Sequence, residues 1–221
     1  MNKMNKRKKT NIIIFILLLA ALAVLLVAYP SMPEIIPTHW GTDGQVDGTG
    51  HKSTLFMLWG IIAGCNLLMP FAEKIDPKGE NYEKFSKVFE IFRIFFTLFM
   101  LVVLGVNIYA VYRPAAIDMN AIMFPLMGLL FIVLGNYMPK IKHNYTFGIK
   151  CPWTLASENV WNKTHRMAGP VWVVGGLITA GCGFIEGIAA AIAMTVVIAV
   201  IVIIPMVYSY VEFNKEKNSE E

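Results

Sequence analysis

The chain has 221 residues, 56% of them hydrophobic, and a formal net charge of +4 at pH 7. With a mean hydropathy of +0.57, it is too apolar for a soluble domain of this size. The apolar residues form blocks of about twenty with no period-2 alternation, which excludes a membrane barrel and predicts an all-α, polytopic membrane helix bundle.

Six apolar blocks are long enough to cross a hydrocarbon layer about 30 Å thick. We predict transmembrane helices at 11–29, 54–72, 88–112, 121–138, 167–184 and 188–211. The first block has no cleavage signal before Tyr29-Pro30, so we interpret it as a retained span and not as a signal peptide. The fifth block is rich in glycine, which predicts close approach of a neighbouring helix.

The basic residues indicate the orientation of these spans. With six spans, 17 of the 19 Lys and Arg residues lie on one side, and only Lys52 and Arg113 lie on the other. Cytoplasmic loops carry the excess of Lys and Arg. We therefore predict that both termini are cytoplasmic, that 30–53 is an extracellular loop (the outer loop), and that 139–166 is a cytoplasmic loop (the inner loop).

The outer loop is rich in Pro and Gly, so we predict that it is not helical. His39, Asp43, Asp47 and His51 recur every four residues, but this spacing would place ligands together only on a helix. We therefore expect no metal site and no cofactor. Trp40 predicts an anchor at the outer membrane interface. Such a loop could meet an external ligand or could be a plain connector.

The inner loop contains more chemically versatile side chains than any other segment. Pro139 predicts the end of the fourth helix, residues 143–153 predict a turn or a short extended piece around Gly148, and residues 154–166 predict a basic amphipathic helix. Thr154 or Ser157 could cap this helix. The loop could be an interfacial anchor or could fold into a site. The charged run 73–87, by contrast, predicts a solvated face.

A third hypothesis is that the inner loop is catalytic. Its reactive side chains would then be His143, Cys151 and His165. A nucleophile and a base are recognised by their geometry, and the only nearby acid is Glu158. The HExxH, GxSxG and P-loop patterns are absent from the sequence. We therefore expect that the protein is not an enzyme.

The inner loop and the end of the preceding span resemble the SdpI family of bacterial immunity membrane proteins. The matching positions are Gly135, Asn136, Met138, Pro139, Lys140, Asn144, Gly148, Ile149, Lys150, Pro152, Trp153, Thr154, Leu155, Val160, Trp161, Thr164, His165 and Arg166. Cys151 departs from the pattern, which has a residue such as Thr there. The outer stretch "IPTHWGTDGQVD" resembles a domain of unknown function that often begins such proteins.

This resemblance implies a function. Members of the family protect a cell against its own exported toxin peptide, and the founding member also holds a cytosolic ArsR-type repressor at the membrane. The resemblance implies a toxin-facing outer loop and a cytoplasmic site on the inner loop. The outer positions are Pro37, His39, Trp40 and Gly44. The inner positions are Asn136, Pro139, Asn144, Gly148, Pro152, Trp153, Thr154, Trp161, Thr164, His165 and Arg166.

The expected partners are the lipid bilayer, a toxin peptide and an ArsR-type repressor, without direct nucleic-acid binding. The alternative is a transporter that exports a toxic peptide or a lipid-like compound. Ionisable groups near the middle of the membrane would mark its pathway, and few occur inside the predicted spans. This scarcity weakens the transporter reading.

Overall fold

We describe the protein from a computed structural model. It describes residues 3–41, 43–113, 118–185 and 188–220. The helices are α1 (Lys3–Ala28), α2 (Thr54–Leu68), α3 (Ala72–Ile75), α4 (Tyr82–Tyr112), α5 (Met119–Tyr137), α6 (Pro152–Ala156), α7 (Glu158–Cys182) and α8 (Ile188–Glu220). Two strands, β1 (Ile35–Trp40) and β2 (Val46–His51), form a hairpin. The prediction of an all-α polytopic bundle is confirmed, with this hairpin as an addition.

Five stretches of the described residues are long and apolar enough to cross a membrane. They are Arg7–Ser31, Thr54–Ile75, Gly79–Tyr112, Met119–Lys140 and Ile188–Ser219. Each contains most or all of one predicted span. The prediction at 167–184 falls in α7, which is not among these five stretches. The count of six spans and the orientation of the termini stay predictions.

Helix α7 differs from the prediction of an interfacial helix followed by a separate span. It runs without interruption from Glu158 to Cys182 and includes Pro170. The Ser157 hydroxyl accepts a hydrogen bond from the Val160 N–H (3.2 Å) and caps the helix, as the sequence suggested. Residues 158–166 of the inner loop therefore form the first turns of a long helix, and the loop proper ends near Ser157.

The chain divides into two compact units, which we describe separately. The first comprises the described parts of Met1–Phe71 and Phe89–Asn120, and therefore holds α1, α2, the hairpin and most of α4. Its core contains Leu25, Met32, Ile36, Leu55, Ile62, Leu104 and Val111. The Trp59 indole N–H donates to the carbonyl of Leu18 (3.0 Å) and ties α2 to α1.

The hairpin of the first unit is the outer loop. Its strands are antiparallel, with Ile35 opposite His51 and Ile36 opposite Gly50. The turn closes through the Gly41 N–H, which donates to the carbonyl of Gln45 (2.8 Å). Ile36, only 1% exposed, is the residue that anchors β1 to the core. The sequence did not predict this hairpin, because β2 has glycines at positions where a typical strand has alternating apolar residues.

The second unit comprises Ala72–Val88 and the described part of Ala121–Glu221. Helices α5 and α7 cross at glycines: a Cβ on Gly128 would lie 2.5 Å from the carbonyl oxygen of Gly176. The Trp172 indole N–H donates to the carbonyl of Ile201 (3.0 Å) and joins α7 to α8. The glycines that the sequence assigned to close packing thus meet backbone or side chains of neighbouring helices, at Gly169, Gly175 and Gly176.

The orientation predicts a simple labelling result. Tyr145 of the inner loop is 44% exposed, so a cysteine placed there is accessible to solvent. In a background with Cys65 replaced by Ser, we expect Tyr145→Cys to resist an impermeant maleimide in intact cells and to react after permeabilisation. A cysteine at the exposed Thr49 of the hairpin should show the opposite pattern. Labelling of Tyr145→Cys from outside intact cells would overturn the predicted orientation.

Candidate functional site: the folded inner loop

Asn144 organises the irregular part of the inner loop. Its side chain is fully buried. The amide oxygen accepts hydrogen bonds from the N–H groups of Thr146 (2.9 Å) and Phe147 (2.6 Å). The amide nitrogen donates to the carbonyls of Lys142 and Phe147, both at 2.8 Å. One side chain therefore satisfies four backbone groups of a segment that has no regular secondary structure of its own.

Asp76 attaches this loop to the segment before α4. One carboxylate oxygen accepts from the Lys78 N–H (2.8 Å). The other accepts from the Tyr145 N–H (2.9 Å), the Thr146 hydroxyl (2.9 Å) and the Tyr82 hydroxyl (3.2 Å). Burial raises the pKa of Asp76, but these donors outweigh it and hold the pKa below its ordinary value. Asp76 is thus an ionised carboxylate at the centre of the loop's attachment.

The prediction that 73–87 forms a solvated face is therefore wrong at Asp76 and Asn81, which are both buried. The Asn81 amide donates to the carbonyl of His143 (2.8 Å). The Asp76–Gly79 stretch, "DPKG", carried a usable signal, because an Asp that bonds the N–H two residues later is typical of a tight turn. Gly79 fits the same turn, since a Cβ there would lie against the carbonyl of Glu73.

Three rings form an aromatic–histidine stack, which we define as His143, Trp161 and His165. The rings of Trp161 and His165 are stacked, with centroids 4.0 Å apart and planes 20° apart. His143 lies 5.1 Å from Trp161 in a tilted arrangement. The Trp161 indole N–H donates to the carbonyl of Ile141 (2.9 Å), and its side chain is fully buried. Trp161 is therefore the core residue around which the inner loop closes.

His165 is held in one tautomer. Its Nε2 accepts a hydrogen bond from the Ile149 N–H (3.0 Å), so the proton must be on Nδ1, which donates to the carbonyl of Trp161 (2.9 Å). Burial lowers the pKa of His165 to about 4. His165 is thus neutral at physiological pH and connects α7 to the loop backbone.

Gly148 meets the stack in a backbone conformation that other residues rarely adopt. Its φ is +122°, and a Cβ there would lie 2.5 Å from Nε2 of His165. The ring edge of Trp161 would be 3.0 Å away on the other side. A glycine is therefore required so that the Ile149 amide can reach the imidazole.

His143 is the least satisfied member of the stack. It is 2% exposed, and neither ring nitrogen makes a hydrogen bond of normal geometry among the described residues. Burial and then the nearby Lys78 lower its pKa, although Glu158, the backbone of Leu155 and Asp76 act in the opposite direction. Its ring packs against Trp161 in the tilted arrangement and stacks on Tyr145, whose ring centroid is 6.2 Å away.

Helix α8 closes the other side of the inner loop. The thiol of Cys151 lies 3.1 Å from the Ser209 hydroxyl, and the Lys163 ammonium lies 2.8 Å from a carboxylate oxygen of Glu212. The hydroxyl of Ser157 lies 2.8 Å and 3.0 Å from the two carboxylate oxygens of Glu216. These α8 residues escaped the sequence analysis because no local pattern links positions about 50 residues apart.

The predicted inner-loop residues separate by exposure. The buried group stabilises the fold of the loop; it consists of Asn144, Thr154, Trp161, Thr164 and His165. Gly148 and Trp153 are half-buried, and the ring of Trp153 packs edge-on against Tyr210. The exposed group can contact a partner; it consists of Asn136, Pro139, Pro152 and Arg166.

The predicted outer-loop residues lie on the hairpin of the first unit. His39 is exposed and pairs with Asp47, while Pro37 and Trp40 are half-buried. Gly44 is buried in the turn with a φ of +76°, so it shapes the turn and offers little surface to a ligand. His51 pairs with Glu34 (2.9 Å) and not with the other spaced His and Asp residues. Among the described residues, no group of three or more metal-ligating side chains converges.

Among the described residues, the Cys151 thiol has no hydrogen bond to an imidazole. Cys151 is buried, and its thiol contacts the hydroxyls of Thr154 (3.4 Å) and Ser209 (3.1 Å). Both nitrogens of His165 are occupied by backbone groups, so this imidazole cannot take a proton from a substrate.

The attachment through Asp76 gives a direct stability prediction. An Asp76→Asn change keeps the shape but turns an amide NH₂ toward groups that are themselves donors. We expect a loss of about 2 kcal/mol in the stability of the loop, because buried donors lose an ionised acceptor. Hydrogen exchange of the Tyr145 amide should report it. Glu80→Gln, on an exposed residue of the same segment, should leave the exchange unchanged.

Comparison with known proteins gives one family match in each of the two compact units. Residues 140–209 match the SdpI/YfhL protein family, and residues 16–63 match a domain of unknown function, DUF1648. The chain is 25% identical over 211 residues to the immunity protein SdpI of Bacillus subtilis (strain 168), covering 96% of this chain and 99% of that protein. No solved structure matches the chain significantly. With its long apolar helices and these matches, the chain is a multi-pass cell-membrane protein that is similar to the SdpI/YfhL family over residues 140–209.

Proposed function

We propose that this protein is a membrane immunity protein that protects a bacterial cell against an exported antimicrobial peptide. The observation that carries the proposal is the full-length similarity to an immunity protein, which includes both the outer hairpin and the inner loop. The hairpin would meet the peptide on the extracellular side. Its exposed polar residues include His39 and Asp47, which are available to such a ligand.

The test is survival of a sensitive bacterium that expresses the protein and is challenged with toxins of this class. We expect protection by the intact chain and reduced protection by His39→Ala. A matched control is Asp43→Ala, on an exposed residue of the same turn. Membrane levels of each variant must be equal. The absence of protection by the intact chain against every such peptide would remove the proposal.

The finer part of the proposal is signalling through the inner loop. Its exposed or half-buried cations Lys142, Lys150, Lys163 and Arg166 would form a docking face for an acidic surface of an ArsR-type repressor. Co-fractionation should show the repressor at the membrane only when the toxin is present. Arg166→Ala should weaken this recruitment while protection is retained. Recruitment that is independent of both toxin and Arg166 would contradict the signalling part only.

A further inference from the structure

The first unit contains an apolar groove with basic residues at one end. Its volume is about 540 Å³, and it is lined by α1, α2 and α4. Phe15, Leu18, Trp59 and Leu67 supply apolar lining, whereas Arg7 and Arg93 supply the charged part. The residues that line the groove include no carboxylate. Neither the outer hairpin nor the inner loop contributes to it.

Arg93 is buried at this groove in an unusual state. Its side chain is 2% exposed, inside a helix that is apolar enough to cross a membrane. One terminal nitrogen donates to Glu90 (2.9 Å) and the other to the side-chain oxygen of Asn11 (3.0 Å). Its Nε has no hydrogen-bond partner among the described residues. A buried guanidinium with an unused donor indicates a missing acceptor, because such a group is costly to leave unsatisfied.

Arg7 brings a second guanidinium to the same groove. It donates to the carbonyl of Pro70 (2.7 Å) at the end of α2. Arg93 also forms an ion pair with Glu90. The groove thus places two guanidinium groups next to apolar walls, which suits a ligand with an anionic head and an apolar tail.

The dimensions match a lipid acyl chain. The groove follows α1 from Arg7 to Leu19, which corresponds to about 18 Å at the helical rise of about 1.5 Å per residue. One leaflet of the hydrocarbon core is about 15 Å deep. Arg7 and Pro70 lie near the ends of their spans, where headgroups are found, and the side chains of Phe15 and Leu67 are exposed.

We propose that this groove is a binding site for an anionic phospholipid, with the phosphate on Arg7 and Arg93 and an acyl chain along α1 and Trp59. Guanidinium groups suit phosphate because their planar donors match its oxygens. The lipid phosphate supplies the acceptor that Arg93 Nε lacks. The site is independent of the proposed immunity function.

The experiment measures lipid binding to the purified full-length protein by native mass spectrometry. The probes are phosphatidylglycerol and phosphatidylcholine with identical acyl chains. We expect phosphatidylglycerol to bind roughly tenfold more tightly, and Arg7→Gln and Arg93→Gln each to reduce this preference by most of that factor. Lys87→Gln is the matched control, because Lys87 is exposed on α4 and does not line the groove.

Two further variants keep the test decisive if Arg93→Gln fails to fold. Ala63→Phe fills the apolar part of the groove and should weaken both lipids. Brominated phosphatidylglycerol should quench the fluorescence of the wild type more than that of Trp59→Phe. Equal binding of phosphatidylglycerol by wild type, Arg7→Gln and Ala63→Phe would overturn the proposal. Displacement of the lipid by millimolar inorganic phosphate would also overturn it, because the site would then hold a soluble anion.

Discussion

Replacing Trp161 with alanine is expected to unfold the inner loop and abolish its function. Trp161 is fully buried, stacks on His165 with centroids 4.0 Å apart, and donates its indole N–H to the Ile141 carbonyl. Removal of a buried Trp side chain costs about 3–5 kcal/mol, and the Ile141 carbonyl would lose its donor. We expect lost protection and a lower melting temperature in detergent.

The controls separate this effect from a general loss of a large side chain. Trp153→Ala removes a tryptophan of the same loop that is only half-buried, and it should cost much less. Trp161→Phe keeps part of the stack but loses the hydrogen bond to Ile141, so its effect should be intermediate. An unchanged melting temperature of the Trp161→Ala protein, with faster hydrogen exchange only at the amide of residue 161, would contradict the role assigned to the stack.

The membrane-spanning elements were predictable because their signal is local. Runs of about twenty apolar residues need no information from elsewhere in the chain, and five of the six predicted spans coincide with long apolar helices. The boundary between the inner loop and the fifth predicted span was not predictable in the same way. Lys163 and Arg166 lower the apolar average, yet the helix continues through them because both residue types favour helix. Glu212 of α8 also pairs with Lys163 (2.8 Å).

Several residues in the interior of the candidate site could be predicted from the sequence, but the contacts between them could not. The resemblance identified Asn144, Trp161 and His165, whose side chains are buried together with those of His143 and Thr154. It could not identify Asp76, because that carboxylate meets Tyr145 and Thr146 about 70 residues later in the chain. Long-range pairing of this kind leaves no periodic signal in the sequence. The stretch "DPKG" indicated only the local turn at Asp76.

Acid is expected to open the inner loop before it affects the rest of the protein. His165 has a folded-state pKa of about 4 because it is buried, whereas an exposed histidine has a pKa of about 6.5. Above pH 6.5 both states are neutral, and the stability is fully present. Between pH 6.5 and 4, His165 is protonated in the opened loop but stays neutral in the folded loop. The stability therefore falls by about 3 kcal/mol over this window.

The Ile149 amide gives a direct readout, because it donates to His165 Nε2 at 3.0 Å. Its protection factor, corrected for the intrinsic exchange rate, should fall between pH 6.5 and 4. In His165→Gln this pH dependence should be largely lost, although the protection is lower throughout. The His143→Gln variant measures how much the second buried imidazole, whose pKa is also lowered by burial, contributes to this pH dependence. A wild-type protection factor that is constant from pH 7 to 4 would show that His165 is not buried as a neutral acceptor.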